Sequence, residues 1–324
     1  MKVLVSWMQE LSTYISREFF HTMRSLVEVH GWRQIEPSRL ATETANTKET
    51  LLSVLGEIPE AILFWEVFDL CAAMQPALGD LGCRGCLFAD DLHQLWGREK
   101  LRGTKLQAFS RCDTILSSYA YVFHDFYPEL RGHKQPVWVP HGASPDFDLP
   151  FNENPENAIL LSGAGGEHYP LRGRMKDLQE EGRFAIVHQD HPGYSGSYDY
   201  EKDGRVGLGY ARTINRYRAS LTDAATFRYI VAKHFEIPAT GALLMTDESA
   251  AGEMKQLGFI GGVHYLPVSI QTLEERIQYV LDPGERERID TIRRNGQALV
   301  RSRHRTCDRA QLIDAVCSAG GALV

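Results

Sequence analysis

The sequence predicts an α/β protein made of two Rossmann-like halves, and three observations support this prediction. Short apolar runs alternate with amphipathic stretches, which is the pattern of parallel strands joined by crossover helices. The alternation is interrupted by the polar, proline-punctuated segment Pro145–Glu156 and then restarts. A length of 324 residues is enough for two domains. We therefore expect an N-terminal domain over residues 1–150 and a C-terminal domain over residues 151–324.

In the N-terminal half, five apolar runs predict buried strands. They are Lys2–Ser6, Ala61–Trp65, Cys86–Ala89, Thr114–Ser117 and Val137–Val139. Apolar residues at helical spacing run from Leu11 to Val27 and stop at Gly31, which predicts one amphipathic helix. Shorter helical patterns lie near residues 48–55, 70–77, 97–109 and 119–127.

The C-terminal half repeats this alternation. Its predicted strands are Ala158–Leu161, Phe184–Val187, a short strand that ends at Ser220–Leu221, Ala242–Met245 and Val263–Leu266. Its predicted helices are 170–182, 225–234, 248–257, 270–281, 285–300 and 306–318. Ligands of such sheets bind at the carboxyl ends of the strands, so we expect the functional residues there.

Composition and charge exclude several classes of protein. The chain is 43% hydrophobic and 24% charged, which is ordinary for a globular protein. With 35 basic and 42 acidic residues, nucleic acid is not favoured as the main partner. No apolar stretch is long enough to span a membrane, and the N-terminus reads as a strand rather than a secretory signal. We predict a cytoplasmic protein with six reduced cysteines.

Two local patterns leave alternatives open. Eight arginines between Arg286 and Arg309 form either a solvated helix face or a patch that meets anions or a membrane. Cys83 and Cys86 have the CxxC spacing of zinc and redox sites, but no second ligand pair follows. A chance occurrence in a turn also explains them.

The first candidate site is the glycine-rich turn after the first strand of the second half. Ser162 and Gly163 open this turn, where backbone N–H groups can approach a diphosphate. The glycine spacing is not that of the dinucleotide fingerprint, and a plain tight turn is the alternative. Arg172 and Arg174 follow at a predicted helix start, where the helix dipole disfavours cations. An arginine there either faces an anionic ligand or is solvent-exposed.

The second candidate is the segment Lys233–Gly241. Glu236 lies between Phe235 and Ile237, so we expect a partly buried carboxylate that needs a partner. Its two oxygens suit the two hydroxyls of a ribose, and a structural salt bridge is the alternative. Lys233, one helical turn earlier, suits a phosphate.

The third candidate consists of Asp90, Asp91 and His93, directly after a strand of the first half. Two carboxylates and an imidazole at a strand's carboxyl end can orient or activate a hydroxyl, although one aspartate suits a helix cap. Other strand-end histidines are His141, His188 and His191, and the turns around them do not favour metal binding.

Several of these pieces resemble one family. The chain resembles GT-B glycosyltransferases, in particular the spore-maturation CgeB-like branch and its group 1 relatives. The resemblance covers about residues 85–310 and its most specific piece is Lys233-x-Phe-Glu236-Ile-Pro-Ala-x-Gly241. The other matching pieces are Phe88–His93, Val139–Phe147, Ser162-Gly163 with Tyr169-Pro-Leu-Arg172, Gly209-Tyr210-Ala211 and His304–Arg309.

The resemblance implies two Rossmann-like domains that face each other across a crevice and a nucleotide-sugar donor, most simply a UDP-sugar, held mainly by the second. By analogy Glu236 binds the ribose, and Arg172 and Lys233 bind the diphosphate. Neighbouring families carry a second Glu eight positions before the ribose ligand, and Arg228 stands there in this chain. No bound metal is implied. The implied donor-binding residues are Ser162, Gly163, Arg172, Tyr210, Arg228, Lys233 and Glu236.

The first hypothesis is a glycosyltransferase in which Asp91 or His93, with Asp90 beside them, faces the acceptor hydroxyl. If one of them is the general base, inversion follows, and if neither reaches the hydroxyl, a retaining, donor-assisted reaction follows. The alternatives are a nucleotide- or sugar-binding protein without turnover, and another enzyme such as a nucleotide-sugar epimerase. The acceptor, which the sequence does not reveal, is a small molecule, a glycan or a nucleic acid.

Overall fold

The computed structural model describes residues 1–41, 46–74, 77–93, 99–163, 165–194 and 198–319. The chain forms two compact units. Unit 1 comprises Met1–Ser12, Phe20–Pro140 and Arg309–Val324, and unit 2 comprises Thr13–Phe19 and His141–Asp308. Each unit has its own parallel sheet with flanking helices, so the predicted α/β class is confirmed.

The sheet of unit 1 has six parallel strands in the order β2-β1-β3-β4-β5-β6. The strands are β1 (Lys2–Val5), β2 (Arg33–Ile35), β3 (Ala61–Trp65), β4 (Arg84–Ala89), β5 (Thr114–Ser117) and β6 (Val137–Trp138). All five residues of β3 are buried, as the continuous apolar run of a central parallel strand requires. Leu63 of β3 pairs with Cys86 of β4, and this register brings the ends of both strands to the same edge.

Among the described residues, the first six α-helices of the chain lie wholly or mostly in unit 1. They are α1 (Met8–Ser12), α2 (Glu18–Glu28), α3 (Thr47–Leu55), α4 (Phe68–Ala73), α5 (Glu99–Arg111) and α6 (Phe123–Phe126). The prediction of one helix from Leu11 to Val27 was wrong, because the chain leaves the helix at Ser12 and resumes it only at Glu18. Ser12, Thr13 and Ser16 at this break are residue types whose side chains compete for backbone hydrogen bonds.

The sheet of unit 2 has five parallel strands in the order β11-β10-β9-β7-β8. The strands are β7 (Glu156–Ser162), β8 (Ile186–Gln189), β9 (Tyr217–Leu221), β10 (Leu243–Asp247) and β11 (Leu266–Val268). The helices are α7 (Pro170–Glu180), α8 (Gly207–Arg216), α9 (Lys233–Ala239), α10 (Ala251–Gln256), α11 (Leu273–Leu281), α12 (Arg286–Arg303) and α13 (Thr306–Ala319), which continues into unit 1. In unit 1, Asp314 of α13 accepts a hydrogen bond from Trp32 Nε1 at 2.8 Å.

One hydrophobic core of unit 2 packs helices against its sheet. Ile159 of β7, Met175 of α7, Ile277 of α11 and Ile289 of α12 are fully buried members of it. Burial of each such side chain contributes about 2 kcal/mol relative to leaving it exposed. This core fixes the strand ends that carry the polar residues described below.

Two predicted elements of unit 2 were wrong in position. Of the residues predicted as a helix over 225–234, those at 225–228 form a turn, and the helix begins only at Lys233 and includes Pro238. Ala225 and Arg228 adopt left-handed backbone with φ of 52° and 60°, which breaks any helix there. The last strand is Leu266–Val268 rather than Val263–Leu266, because an edge strand tolerates Pro267.

All six cysteines are free thiols. Burial raises the pKa of Cys83 to about 12, so this thiol of the CxxC pair is poorly suited to redox chemistry. Within the described parts of the chain, every helix is too short or too polar to cross a lipid bilayer.

Candidate functional site

Unit 2 contains an open cavity with about 920 Å³ of empty space beside the carboxyl ends of β7 and β8. Ser162 ends β7 and Gln189 ends β8, and both residues line this cavity. Further lining residues come from α7, α8 and α9 and from the segments 15–17 and 144–147. We call this space the unit 2 cavity. Of the donor-binding residues predicted from the sequence, it brings together Ser162, Gly163, Arg172, Tyr210, Lys233 and Glu236.

Two cations approach the glycine turn that follows β7. Gly163 has φ of +104°, a left-handed backbone that glycine adopts without strain. A Cβ at this position would lie 3.0 Å from Lys233 Nζ and 3.2 Å from Arg172 Nη1. Glycine therefore leaves room directly in front of an ammonium and a guanidinium, and that arrangement suits an anion.

Arg172 is held in a buried polar network. It lies in the first turn of α7 with 5% of its surface exposed, and its Nε is 3.2 Å from Asp223 Oδ1. Its Nη2 donates to Thr222 Oγ1 at 2.8 Å, and its guanidinium lies 4.2 Å from the centre of the Tyr169 ring. Burial raises the pKa of Asp223, while Arg172 acts in the opposite direction. These contacts fix the orientation of the guanidinium before any ligand binds.

Lys233, Tyr210 and Ser162 form a triangle of hydrogen bonds. Lys233 Nζ donates to Tyr210 Oη at 2.7 Å and to Ser162 Oγ at 3.3 Å, and the two hydroxyls are 2.6 Å apart. Among the described cations that line the cavity, Arg17, Arg172 and Arg205 each face a carboxylate and Lys233 does not. Lys233 is therefore a positive charge with only neutral hydrogen-bond partners in this part of the chain.

Glu236 lines the same cavity from the first turn of α9. It is only 7% exposed, yet among the described residues its carboxylate has no hydrogen bond or salt bridge. Burial raises its pKa to about 7, although nearby Lys233 lowers it. A buried carboxylate without a partner is costly unless a ligand supplies donors. The alternative interpretation of Glu236, a structural salt bridge, has no such pair among the described residues.

Several lining residues were not identified from the sequence. Arg17 Nη2 contacts both carboxylate oxygens of Asp146 at 2.7 and 2.8 Å, and its guanidinium stacks 4.0 Å from the centre of the Tyr200 ring. Tyr194 is 63% exposed at the cavity and lies 4.8 Å, between ring centres, from His191. Burial, Lys233 and Arg172 lower the pKa of His191, which agrees with a positive potential here. Ser12, Thr13 and Ser16 interrupt the apolar pattern here, but the apolar spacing continues across them and concealed the Arg17 segment.

Arg228 is the predicted donor-binding residue that the unit 2 cavity does not include. Its backbone is left-handed, with φ of +60°, and its guanidinium pairs with Glu253 of α10. Glu253 thus neutralises the guanidinium of Arg228, which is then not available to a ligand phosphate. Arg174 also pairs outside the cavity, with Glu274 at 2.8 Å.

The predicted catalytic residues lie in unit 1, directly after β4. Asp91 Oδ1 is 3.7 Å from His93 Nδ1, and the Asp91 side chain is 60% exposed. The buried Lys105 donates to the backbone oxygen of Asp91 at 2.6 Å. The backbone N–H of Asp90 donates to Glu66 Oε1 at 2.7 Å, and Glu66 itself has a left-handed backbone with φ of +57°. These contacts hold the loop, and the catalytic role of Asp90, Asp91 and His93 stays a prediction.

Other candidates have structural partners. His141 Nδ1 lies 2.7 Å from the buried Glu18, and His234 is buried with its pKa lowered to about 3 by desolvation. In the arginine-rich segment, six guanidiniums pair with carboxylates, which favours a structural function for them. These arginines are Arg286, Arg288, Arg293, Arg294, Arg301 and Arg305.

A sequence profile of the glycosyl transferase-like family matches residues 171–315, a little under half of the chain. This range includes Arg172, Lys233 and Glu236 but neither Gly163 nor Arg17. No curated protein sequence matches the chain significantly.

Solved structures show the fold. HepE of Anabaena in complex with UDP superimposes with a TM-score of 0.60 at 12% identity, over 98% of this chain and 100% of that chain. HepE in complex with UDP-glucose superimposes with a TM-score of 0.59 at 13% identity, over 98% of this chain and 100% of that chain. A glycosyltransferase from Rickettsia africae gives 0.54 at 8% identity, over 100% and 99%. The chain has the α/β fold of GT-B glycosyltransferases, while the narrower likeness to the CgeB-like branch stays a prediction.

Proposed function

We propose that this protein is a glycosyltransferase that moves a sugar from a nucleotide-diphosphate sugar to an acceptor hydroxyl. The observation that carries the proposal is the space in front of Gly163 that Lys233 and Arg172 face, which we call the anion seat. Glu236, whose carboxylate has no partner in the part of the chain that the structure describes, lines the same cavity. A nucleotide-diphosphate sugar offers both a diphosphate for the cations and ribose hydroxyls for the carboxylate. A UDP-sugar is the donor we favour, because HepE, which shares the fold, was solved with UDP and with UDP-glucose.

In the reaction, the bond between the anomeric carbon and the β-phosphate oxygen breaks and its electron pair leaves with UDP. The acceptor oxygen bonds to the anomeric carbon and loses its proton. Lys233, Arg172 and Ser162 stabilise the charge that develops on the leaving diphosphate, because they are oriented before it forms. We propose that these cations make a bound metal unnecessary, and that Asp91 with His93 takes the acceptor proton.

A thermal-shift titration tests the donor assignment first. We expect UDP and one UDP-sugar to raise the melting temperature, by mass action on the folded state, and a chelator to leave the shift unchanged. GDP, ADP and TDP with their sugars are the competing ligands. A flat response to every nucleotide would contradict the proposal, and loss of the UDP shift in chelator would contradict metal independence.

Product analysis then separates transfer from its alternatives. Incubation with the stabilising UDP-sugar should release UDP, with the sugar found on an acceptor or, slowly, on water. Conversion to a different UDP-sugar without release of UDP would indicate an epimerase. Binding without any conversion across small-molecule, glycan and nucleic-acid acceptors would indicate a binding protein.

A further inference from the structure

Lys233 and Glu236 are three residues apart on α9, and side chains at this spacing are neighbours on a helix. Opposite charges attract more strongly inside a protein than in bulk water, so a salt bridge between them is the simplest expectation. The structure instead has Lys233 bonded to Tyr210 and Ser162, and Glu236 open to the cavity. An interaction other than the attraction of Glu236 therefore determines the position of the Lys233 ammonium.

The hydroxyl of Tyr210 has the geometry for this task. At 2.7 Å it accepts the shorter of the two bonds from Lys233 Nζ. Tyr210 lies on the buried face of α8, and its ring meets Phe147 edge-on with centres 6.0 Å apart. The hydroxyl is therefore carried on a rigid, packed side chain rather than on a mobile one.

The triangle of Lys233, Tyr210 and Ser162 has donor protons that its own hydrogen bonds do not use. An ammonium and two hydroxyls carry five N–H and O–H protons together, and the triangle contains three hydrogen bonds. Whichever hydroxyl donates to the other, one hydroxyl proton and one ammonium proton are left over. Because Gly163 has no Cβ beside Lys233 Nζ, these donors are open towards the anion seat.

We propose that Tyr210 is a positioning residue of the donor site, whose hydroxyl keeps Lys233 turned to the diphosphate and thereby keeps Glu236 free for the ribose. This inference rests on the proposed function for the identity of the ligand. The arrangement of Tyr210, Lys233 and Glu236 without a ligand does not depend on that function. Tyr210 thus acts through Lys233.

The substitution Tyr210→Phe isolates the hydroxyl. It keeps the ring that packs on Phe147, and it keeps the contact of Lys233 Nζ with the ring centre at 4.8 Å. Tyr265→Phe is the matched control, because Tyr265 is a 2% exposed tyrosine of the same unit and does not line the cavity. Both variants lose one hydroxyl and retain their packing.

The first arm of the experiment is calorimetric titration with UDP, UMP and uridine. We expect Tyr210→Phe to weaken UDP binding about tenfold, because Lys233 loses the partner that orients it as a charge-assisted donor to the diphosphate. UMP binding should weaken less. Uridine binding by Tyr210→Phe should weaken less than UDP binding, because uridine loses only the ribose contact with Glu236. UDP binding by Tyr265→Phe should be unchanged. Equal losses for UDP and uridine, or no loss for UDP, would overturn the positioning role.

The second arm needs no nucleotide, so it remains decisive if UDP does not bind at all. Lys233 of the same helix and Glu18, His141 and Asp146 of other segments are the charged groups around Glu236. With Lys233 turned away, the wild type should lose stability from pH 5 to pH 8 as Glu236 ionises. In Tyr210→Phe, Lys233 can pair with Glu236 and this loss should shrink.

A Glu236→Gln background completes the design as a double-mutant cycle. There, Tyr210→Phe should no longer change the pH dependence. Identical pH profiles for wild type and Tyr210→Phe would overturn the inference, whatever UDP does. A wild type that ignores UDP, together with the expected pH difference, would refute the proposed donor and support the role of Tyr210.

Discussion

Unit 2 buries Arg172 and Glu236 in the cavity beside the carboxyl ends of its strands, whereas unit 1 exposes Asp91 after a strand of its own sheet. In unit 2, Arg172 and Glu236 are almost completely buried and Lys233 is fixed by two hydroxyls. In unit 1, Asp91 is 60% exposed and is anchored through its backbone oxygen. A pre-oriented, desolvated group binds a ligand with little reorganisation. The burial in unit 2 therefore favours binding of a ligand with little reorganisation, whereas Asp91 in unit 1 is accessible from solvent.

The largest effect is expected for a substitution in the exposed loop of unit 1. Asp91→Asn should lower the turnover of the UDP-sugar at least about 100-fold, as loss of a general base does. UDP affinity should stay unchanged, because the proposed diphosphate site lies in unit 2. Steady-state kinetics and calorimetry on one preparation measure both quantities. Normal turnover would remove Asp91 from the mechanism.

Glu236→Gln tests burial of the carboxylate in unit 2 through the pH dependence of stability. The folded-state pKa of Glu236, about 7, lies above the ordinary 4.5, so the folded state holds this proton more tightly. Stability is therefore lost as pH rises from 4.5 through 7, on the order of 3 kcal/mol from this group. Glu236→Gln should raise the unfolding free energy at pH 8 and change it little at pH 5. Denaturant unfolding at both pH values measures this, and an equal effect at both would contradict burial of the charge.

Gly163→Ala tests the anion seat, with a smaller expected effect. Its Cβ would enter the space beside Lys233 Nζ, and its backbone would stay in the left-handed region. We expect about 1–2 kcal/mol of lost stability and weaker UDP binding. Gly165→Ala is the matched control in the same turn, since nothing lies within 4 Å of its added Cβ. Equal UDP affinities for the two variants would argue against the seat.

Arg228→Asn should have the smallest effect. Asn tolerates the left-handed backbone that Arg228 adopts, and the paired Glu253 lies outside the unit 2 cavity. We expect UDP affinity equal to that of the wild type. A clear loss in calorimetry would return Arg228 to the donor site, as the sequence resemblance implied.

Much of the architecture could be predicted because parallel strands buried on both faces leave long apolar runs, as in β3 and β7. Ser162 could be predicted from its place directly after a strand, whereas grouping Arg172 and Glu236 with it depended on the family resemblance. The unit 2 cavity contains all three. The break at residues 13–17 could not be predicted, since the apolar spacing of Leu11, Tyr14 and Phe19 continues across it. The left-handed conformations of Ala225 and Arg228 have no local sequence signal, and they moved the helix that carries Lys233 and Glu236.

The path of the chain limits how this binding site can be recombined. The wall that carries Arg17 comes from Thr13–Phe19, while the rest of unit 2 is the continuous stretch His141–Asp308. A hybrid enzyme that receives only His141–Asp308 would receive Asp146 without Arg17, and Tyr200 without the guanidinium stacked on it. Transplanting the proposed donor site therefore requires two separate grafts, and the shorter one is the seven residues Thr13–Phe19.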